Sequence, residues 1–152
     1  MNKYLRYVLL ALAVFLIVAQ LFPIDKSAPE VDPKEDFLQL ADPPAEVARL
    51  IKTVCYDCHS YEVNYPWYTS VAPVSWWIDH HIEEGREHLN FSIWGTYDLD
   101  KRAHKMEEAA EEVEEEHMPL NSYTWMHSEA RLSEEQRNRL VAWFEVQEER
   151  QR

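Results

Sequence analysis

Apolar residues recur along the chain at helical spacing, in five stretches divided by polar or proline-containing segments. The first is an uncharged run from Tyr7 to Ala19, preceded by Lys3 and Arg6. A helix over Leu5–Phe22 would be about 27 Å long, close to the ~30 Å of a bilayer's hydrocarbon core. The second places Val47, Leu50, Ile51 and Val54 on one face, with Asp42-Pro43-Pro44 as a helix start in which Asp42 is the cap. A third helix is predicted from Val74 to Leu89, with Trp77, Ile78, His81, Ile82 and Gly85 on its apolar stripe and His80 off it. A fourth runs from Asp100 to Glu116, strongly acidic, with the thin stripe Ala103, Met106, Ala110 and Val113. The last starts at Ser133, where Gln136 has capping-box spacing, and carries Leu140, Val141 and Phe144. Its stripe is expected to cross the helix that ends at Val54.

Composition supports the same class. Two glycines in 152 residues argue against a loop-rich β fold, and glutamate, leucine and alanine favour helices. The predicted fold is all-α. Three segments follow: an N-terminal anchor or signal over residues 1–22, an extended proline-containing linker over 23–36, and a folded domain over 37–152. Extended as polyproline II, the linker would reach about 40 Å and hold the domain clear of lipid headgroups. Ile17–Phe22 offers no good small-x-small cleavage site, which favours an uncleaved anchor. Lys3 and Arg6 before the run and acid after it orient the N-terminus inside. The expected location is therefore the cytoplasmic membrane, single-pass, with the domain on the periplasmic side. With 15 basic against 28 acidic side chains, the net charge of −13 repels nucleic acid and favours a partner with a basic surface.

The chemistry centres on Cys55-Tyr56-Asp57-Cys58-His59. Cys-x-x-Cys-His is the pattern that attaches a c-type haem. Two intervening residues put both sulfurs on one turn to meet the two vinyl groups of the porphyrin, and His59 follows beneath the ring as a ligand to iron. A disulfide, a redox-active thiol pair and half of a zinc site compete. Zinc usually takes four ligands, with a second Cys or His pair at short spacing, and the chain has two cysteines and no such partner pair. A thioredoxin-like pair needs a βαβ setting, which the pattern lacks.

Other residues read less sharply. The loop Ser60–Pro73 is dense in aromatics, and Tyr65, Trp67 and Tyr68 would cover a porphyrin edge or fill an ordinary core. Arg86 is a candidate partner for a haem propionate or for a neighbouring glutamate; Trp94 and Tyr123 are further propionate candidates. The glutamates of 107–116 form either a solvated face or a docking patch for a basic partner. Met118-Pro119 ends the acidic helix and leaves a thioether either to reach the iron or to plug the core.

Taken together, Cys55-x-x-Cys58-His59-Ser60, Tyr65-Pro66-Trp67-Tyr68, Gly85-Arg86-x-x-Leu89-Asn90-Phe91-Ser92, Met118-Pro119 and Tyr123-x-x-x-His127 resemble the small haem-binding domain family of bacterial, cytochrome-c-like proteins. The resemblance covers roughly residues 36–147 and extends to Ala130-Arg131-Leu132-Ser133 and Trp143. It implies one covalent haem c, with Cys55 and Cys58 attached, His59 proximal and Met118 distal. His117 and Ser128 depart from the family's usual residues, and each change brings a second histidine within reach of the iron.

The expectation is thus a cytochrome-c-like helical domain, a bundle of about four helices around one haem, preceded by a transmembrane helix. It would carry single electrons to and from redox partner proteins and is not expected to be a catalyst. The alternative is a haem protein with an open or labile distal site. That protein would be a peroxidase-like enzyme or a redox or gas sensor, with His81, His117 or His127 as acid and base. A helical domain with a disulfide and no haem is the third reading.

Overall fold

The computed structural model describes residues 2–152, and among them there are only helices, turns and coil. Eight α-helices follow in order: α1 (Lys3–Ala19), α2 (Phe37–Ala41), α3 (Ala45–Val54), α4 (Tyr56–His59), α5 (Val74–His88), α6 (Leu99–Glu114), α7 (Asn121–Met126) and α8 (Glu134–Gln151). Short 3-10 turns lie at Pro33–Glu35, Trp67–Ser70, Phe91–Thr96 and Ser128–Ala130. Four of the helices in the folded domain are ten residues or longer, and they match the four apolar stripes downstream of the N-terminal run.

The α6 and α8 stripes make the most extensive helix pair. Ala103, Met106, Ala110 and Val113 of α6 are buried, as are Leu140, Val141 and Phe144 of α8. So α8 pairs chiefly with α6, while α3 makes a smaller contact with it. Ser133 caps α8 as its spacing predicts: its side chain accepts from the Gln136 amide (3.2 Å), and the Gln136 side chain accepts from the Ser133 amide (2.9 Å). Phe37 of α2 seals the far side of the core. Its ring lies 4.7 Å from Phe91, 4.9 Å from Trp94 and 5.7 Å from Trp143, centroid to centroid.

Two helix ends differ from the sequence expectation. Asp42 does not cap α3; Pro44 stands at that position without a side-chain bond. Asp42 instead terminates α2 with φ 41°, a left-handed conformation that Asp tolerates better than most residues. The second difference is larger. The N-terminal helix stops at Ala19, so it has 17 residues and a length of about 26 Å. Among the described residues no helix is long and apolar enough to cross a membrane, which overturns the expected single-pass anchor and the membrane location built on it. Apolar Leu21 and Phe22 extend the hydropathy run, but not the helix. Gln20 turns the chain: its side-chain amide donates to Leu16 O (2.8 Å) and Ala72 O (2.9 Å), and its carbonyl accepts from Ala72 N (3.1 Å).

The segment after α1 is also tied to the domain. Trp76 Nε1 donates to Phe22 O (2.7 Å), and Lys26 Nζ donates to Thr69 Oγ1 (3.0 Å) and Ser70 Oγ (2.8 Å). The segment read as an extended linker thus bonds through Lys26 to the loop that precedes α5.

Candidate functional site

The helix α3 runs directly into α4, so both cysteines and His59 occupy one continuous turn. Cys55 N donates to Ile51 O (2.9 Å), closing α3, and the amides of Cys58 (3.2 Å) and His59 (2.9 Å) both donate to Cys55 O. Ser60 stops the turn by accepting from Glu62 N (2.9 Å) and donating to Tyr56 O (2.8 Å) through its hydroxyl. Both thiols are free. Cys55 packs against the core, and burial pushes its thiol up to about 12. Cys58 is pushed up to about 11, first by burial and then by the neighbouring Asp57 carboxylate. Exchange-active thiols have the opposite perturbation, a lowered pKa in an electropositive setting, so the pair does not look like a redox dithiol. No cluster of three or more His, Cys, Asp or Glu among the described residues has the spacing to hold a metal ion by itself.

The His59 ring is fixed from α5. Its Nδ1 lies 2.8 Å from Gly85 O and 3.1 Å from Leu89 O. Carbonyl oxygens only accept, so Nδ1 carries the proton and Nε2 keeps its lone pair. That second-shell arrangement orients an imidazole as a metal ligand. Burial holds the imidazole pKa below its ordinary value, outweighing the two carbonyl bonds that raise it. That direction favours the neutral imidazole, the form that ligates a metal. Gly85 makes the close approach possible: a Cβ there would sit 2.8 Å from Cys58 O and 3.3 Å from Cys58 C and Cβ.

Beside this turn lies an open cavity of about 210 Å³ with almost wholly apolar walls. Asp57 and Cys58 of the haem-motif turn and Tyr65 and Tyr68 of the aromatic loop line it. Trp77, His81 and Ile82 of α5 and Tyr123, Met126 and His127 also line it. Tyr123 Oη donates to Asp57 Oδ2 (2.8 Å), which ties α7 to the residue between the two cysteines. The Tyr123 and His127 rings lie 4.1 Å apart, and His127 Nε2 is 3.1 Å from Tyr68 Oη.

The predicted residues divide clearly. Cys58 lines the cavity; Cys55 and His59, on the same turn, are not among its lining residues. Met118 is not among the lining residues. It packs partly buried on the core, with its amide on Glu112 O (2.9 Å) and its carbonyl accepting from Arg137 (3.4 Å). His117 is 61% exposed beside Glu112 and Glu115. Among the aromatics, Tyr65 and Tyr68 line the cavity but Trp67 is 77% exposed. Arg86 donates to Ser60 O (2.8 Å) and lies over the Tyr61 ring. Trp94 is a core residue, 2% exposed. Met126 and the Tyr68–His127 contact were not read from the sequence. The Tyr123-x-x-x-His127 spacing was the available signal, since residues four apart share a helix face.

The residues present fit a haem. They supply two unpaired thiols on one turn, a neutral imidazole with one nitrogen engaged and the other without a partner among the described residues, and an adjoining apolar cavity. No curated protein and no solved structure matches the chain. Residues 14–146 match the model of a family described as a haem-binding domain, and with most of its length inside that match the chain belongs to the haem-binding domain family.

Proposed function

We propose that this protein is a monohaem c-type cytochrome that carries single electrons. Attachment adds each S–H across a porphyrin vinyl group: the sulfur of Cys55 or Cys58 bonds one carbon and the hydrogen goes to the other, so no oxidant is needed. When bound, haem supplies a one-electron iron couple. The chain's own residues do the rest. His59, held by the Gly85 and Leu89 carbonyls, would supply Nε2 to the iron. Tyr65, Tyr68 and Ile82, which line the cavity, would border a bound ring with apolar surface. The exposed glutamates 111, 112, 114 and 115 at the end of α6 offer an acidic surface to a basic redox partner. The observation that carries this reading is the His59 imidazole, fixed in its ligand tautomer on the same turn as two free thiols. An electrochemical titration of protein made in cells that mature c-type cytochromes tests it. The expected result is one reversible one-electron wave. Irreversible reduction with turnover of peroxide would replace the carrier by the enzyme reading.

A further inference from the structure

We infer that Asp57 is a positioning residue of this site: its one carboxylate holds both the aromatic loop and α7 against the turn that carries the thiols. That the site is a haem's rests on the reading above; the clamp itself rests on hydrogen bonds. Asp57 precedes Cys58 in the turn and lines the cavity with it. Its Oδ1 accepts from the Asn64 amide (2.9 Å), and its Oδ2 accepts from Tyr123 Oη (2.8 Å). Hydrogen bonds to a carboxylate are among the stronger ones. Each bond carries a stretch of cavity lining with it: Asn64, Tyr65 and Tyr68 on the loop, and Tyr123, Met126 and His127 on and just after α7.

Both elements are lightly held elsewhere. The helix α7 has six residues, of which Thr124 is the buried one, and it packs chiefly on the Ser128–Ala130 turn that follows it. The loop is fixed near its ends, where Tyr61 N donates to Ser92 Oγ (2.9 Å), Arg86 to Ser60 O, and Lys26 to Thr69 and Ser70. Asn64 ties its middle. Tyr68 Oη and His127 Nε2, 3.1 Å apart, join the loop to the end of α7. An amide in place of the Asp57 carboxylate preserves this arrangement. In Asp57→Asn the side-chain oxygen accepts from Asn64 N and the nitrogen donates to Tyr123 Oη. The Tyr123 hydroxyl then turns its hydrogen to Thr53 O, already 3.3 Å away. In Asp57→Ala both bonds are lost.

The test is amide hydrogen exchange of the full-length protein, made in cells that mature c-type cytochromes, and of its Asp57→Ala, Asp57→Asn and Tyr123→Phe variants. The reporters are the Asn64 amide and, in α7, the amides of Thr124 and His127, which donate to Leu120 O and Tyr123 O (both 3.1 Å). Asp57→Ala should speed exchange at all three by about tenfold. Tyr123→Phe should do so at Thr124 and His127 but not at Asn64, and Asp57→Asn should exchange like the wild type. Tyr123→Phe also leaves the carboxylate's charge in place, so with haem attached it should lower the midpoint potential, because a loosened wall admits water. Unchanged exchange in Asp57→Ala, or Asp57→Asn exchanging as fast as Asp57→Ala, overturns the inference. An equal rise at the α8 amides, remote from the clamp, overturns it too, since that marks a loss of global stability. The expected exchange pattern in protein that carries no covalent haem would uphold the clamp and overturn the haem reading.

Discussion

Gly85→Ala measures how tightly the α4 turn is held against α5. In a solvent-facing helix the change stabilises by about 1 kcal/mol, because alanine is the better helix former. Here the added methyl would lie 2.8 Å from Cys58 O and 3.3 Å from two further Cys58 atoms. Two of the three are backbone atoms and the third is the Cβ attached to it, so no flexible side chain can swing aside. One of the two elements must shift by a few tenths of an ångström. Overpacking of this kind costs about 1–3 kcal/mol. Set against the helix gain, the net expectation is a loss of about 1 kcal/mol, or roughly 3 °C in Tm for a chain of this size. The same shift moves Gly85 O away from His59 Nδ1, so the haem-loaded variant should also show a perturbed iron spectrum. Thermal melts followed by circular dichroism, with and without haem, give both readouts. A Tm that rises by a few degrees with an unchanged spectrum would refute the claimed contact.

Three further outcomes are expected. Ser133→Ala removes the hydroxyl that accepts from the Gln136 amide, leaving only the bond from the residue-133 backbone amide to Gln136 Oε1, and should cost about 1 kcal/mol, read as a lowered denaturation midpoint with unchanged slope; an unchanged midpoint contradicts it. Phe144→Ala opens a void in the α6–α8 core, where Phe144 is 1% exposed, and should cost about 3–5 kcal/mol in the same experiment; a loss well under that range would show the site collapsing around the gap. Burial raises the Asp36 carboxyl above its ordinary value, against the hydrogen bonds from Tyr56 and the Leu38 amide. The native state then holds that proton more tightly than the unfolded chain does. The contribution is fully present below the unfolded pKa and is lost as pH rises through the native one. Relative to Asp36→Asn, wild-type stability should therefore decline over that window, and a pH-independent difference would contradict the assignment.

Short-range features of this fold were legible in the sequence, and long-range ones were not. Ser133 and Gln136 announce α8 because both partners of the cap lie within four residues. Ala103, Met106, Ala110 and Val113 announce α6 because their spacing alone selects a buried face. Asp42 was ambiguous: the same residue can cap the helix after it or end the helix before it, and the brief α2 has too few residues to show a period. The end of α1 was misread for a different reason. Hydropathy continues through Leu21 and Phe22, whereas the helix is turned by Gln20 bonding to Ala72, fifty-two residues away.

The candidate site divides in the same way. The turn carrying Cys55, Cys58 and His59 is local and was read directly. Its surroundings come together only in the fold, where Tyr68 meets His127 and Asp57 meets Tyr123. Met118 looked available because Pro119 stops the helix just after it. Its backbone bonds to Glu112 and Arg137, one before it and one well after, and its side chain packs partly buried against the core. His81 was read on the apolar stripe of its helix, and it does face the cavity, half-buried.

Covalent haem at Cys55 and Cys58 is the claim on which the rest depends, and the mass of the denatured protein tests it most directly. Protein from cells competent to mature c-type cytochromes should carry one haem above the 18.1 kDa chain, retained through denaturation and absent from the Cys55→Ala, Cys58→Ala double variant. An unmodified mass from those same cells would contradict the account.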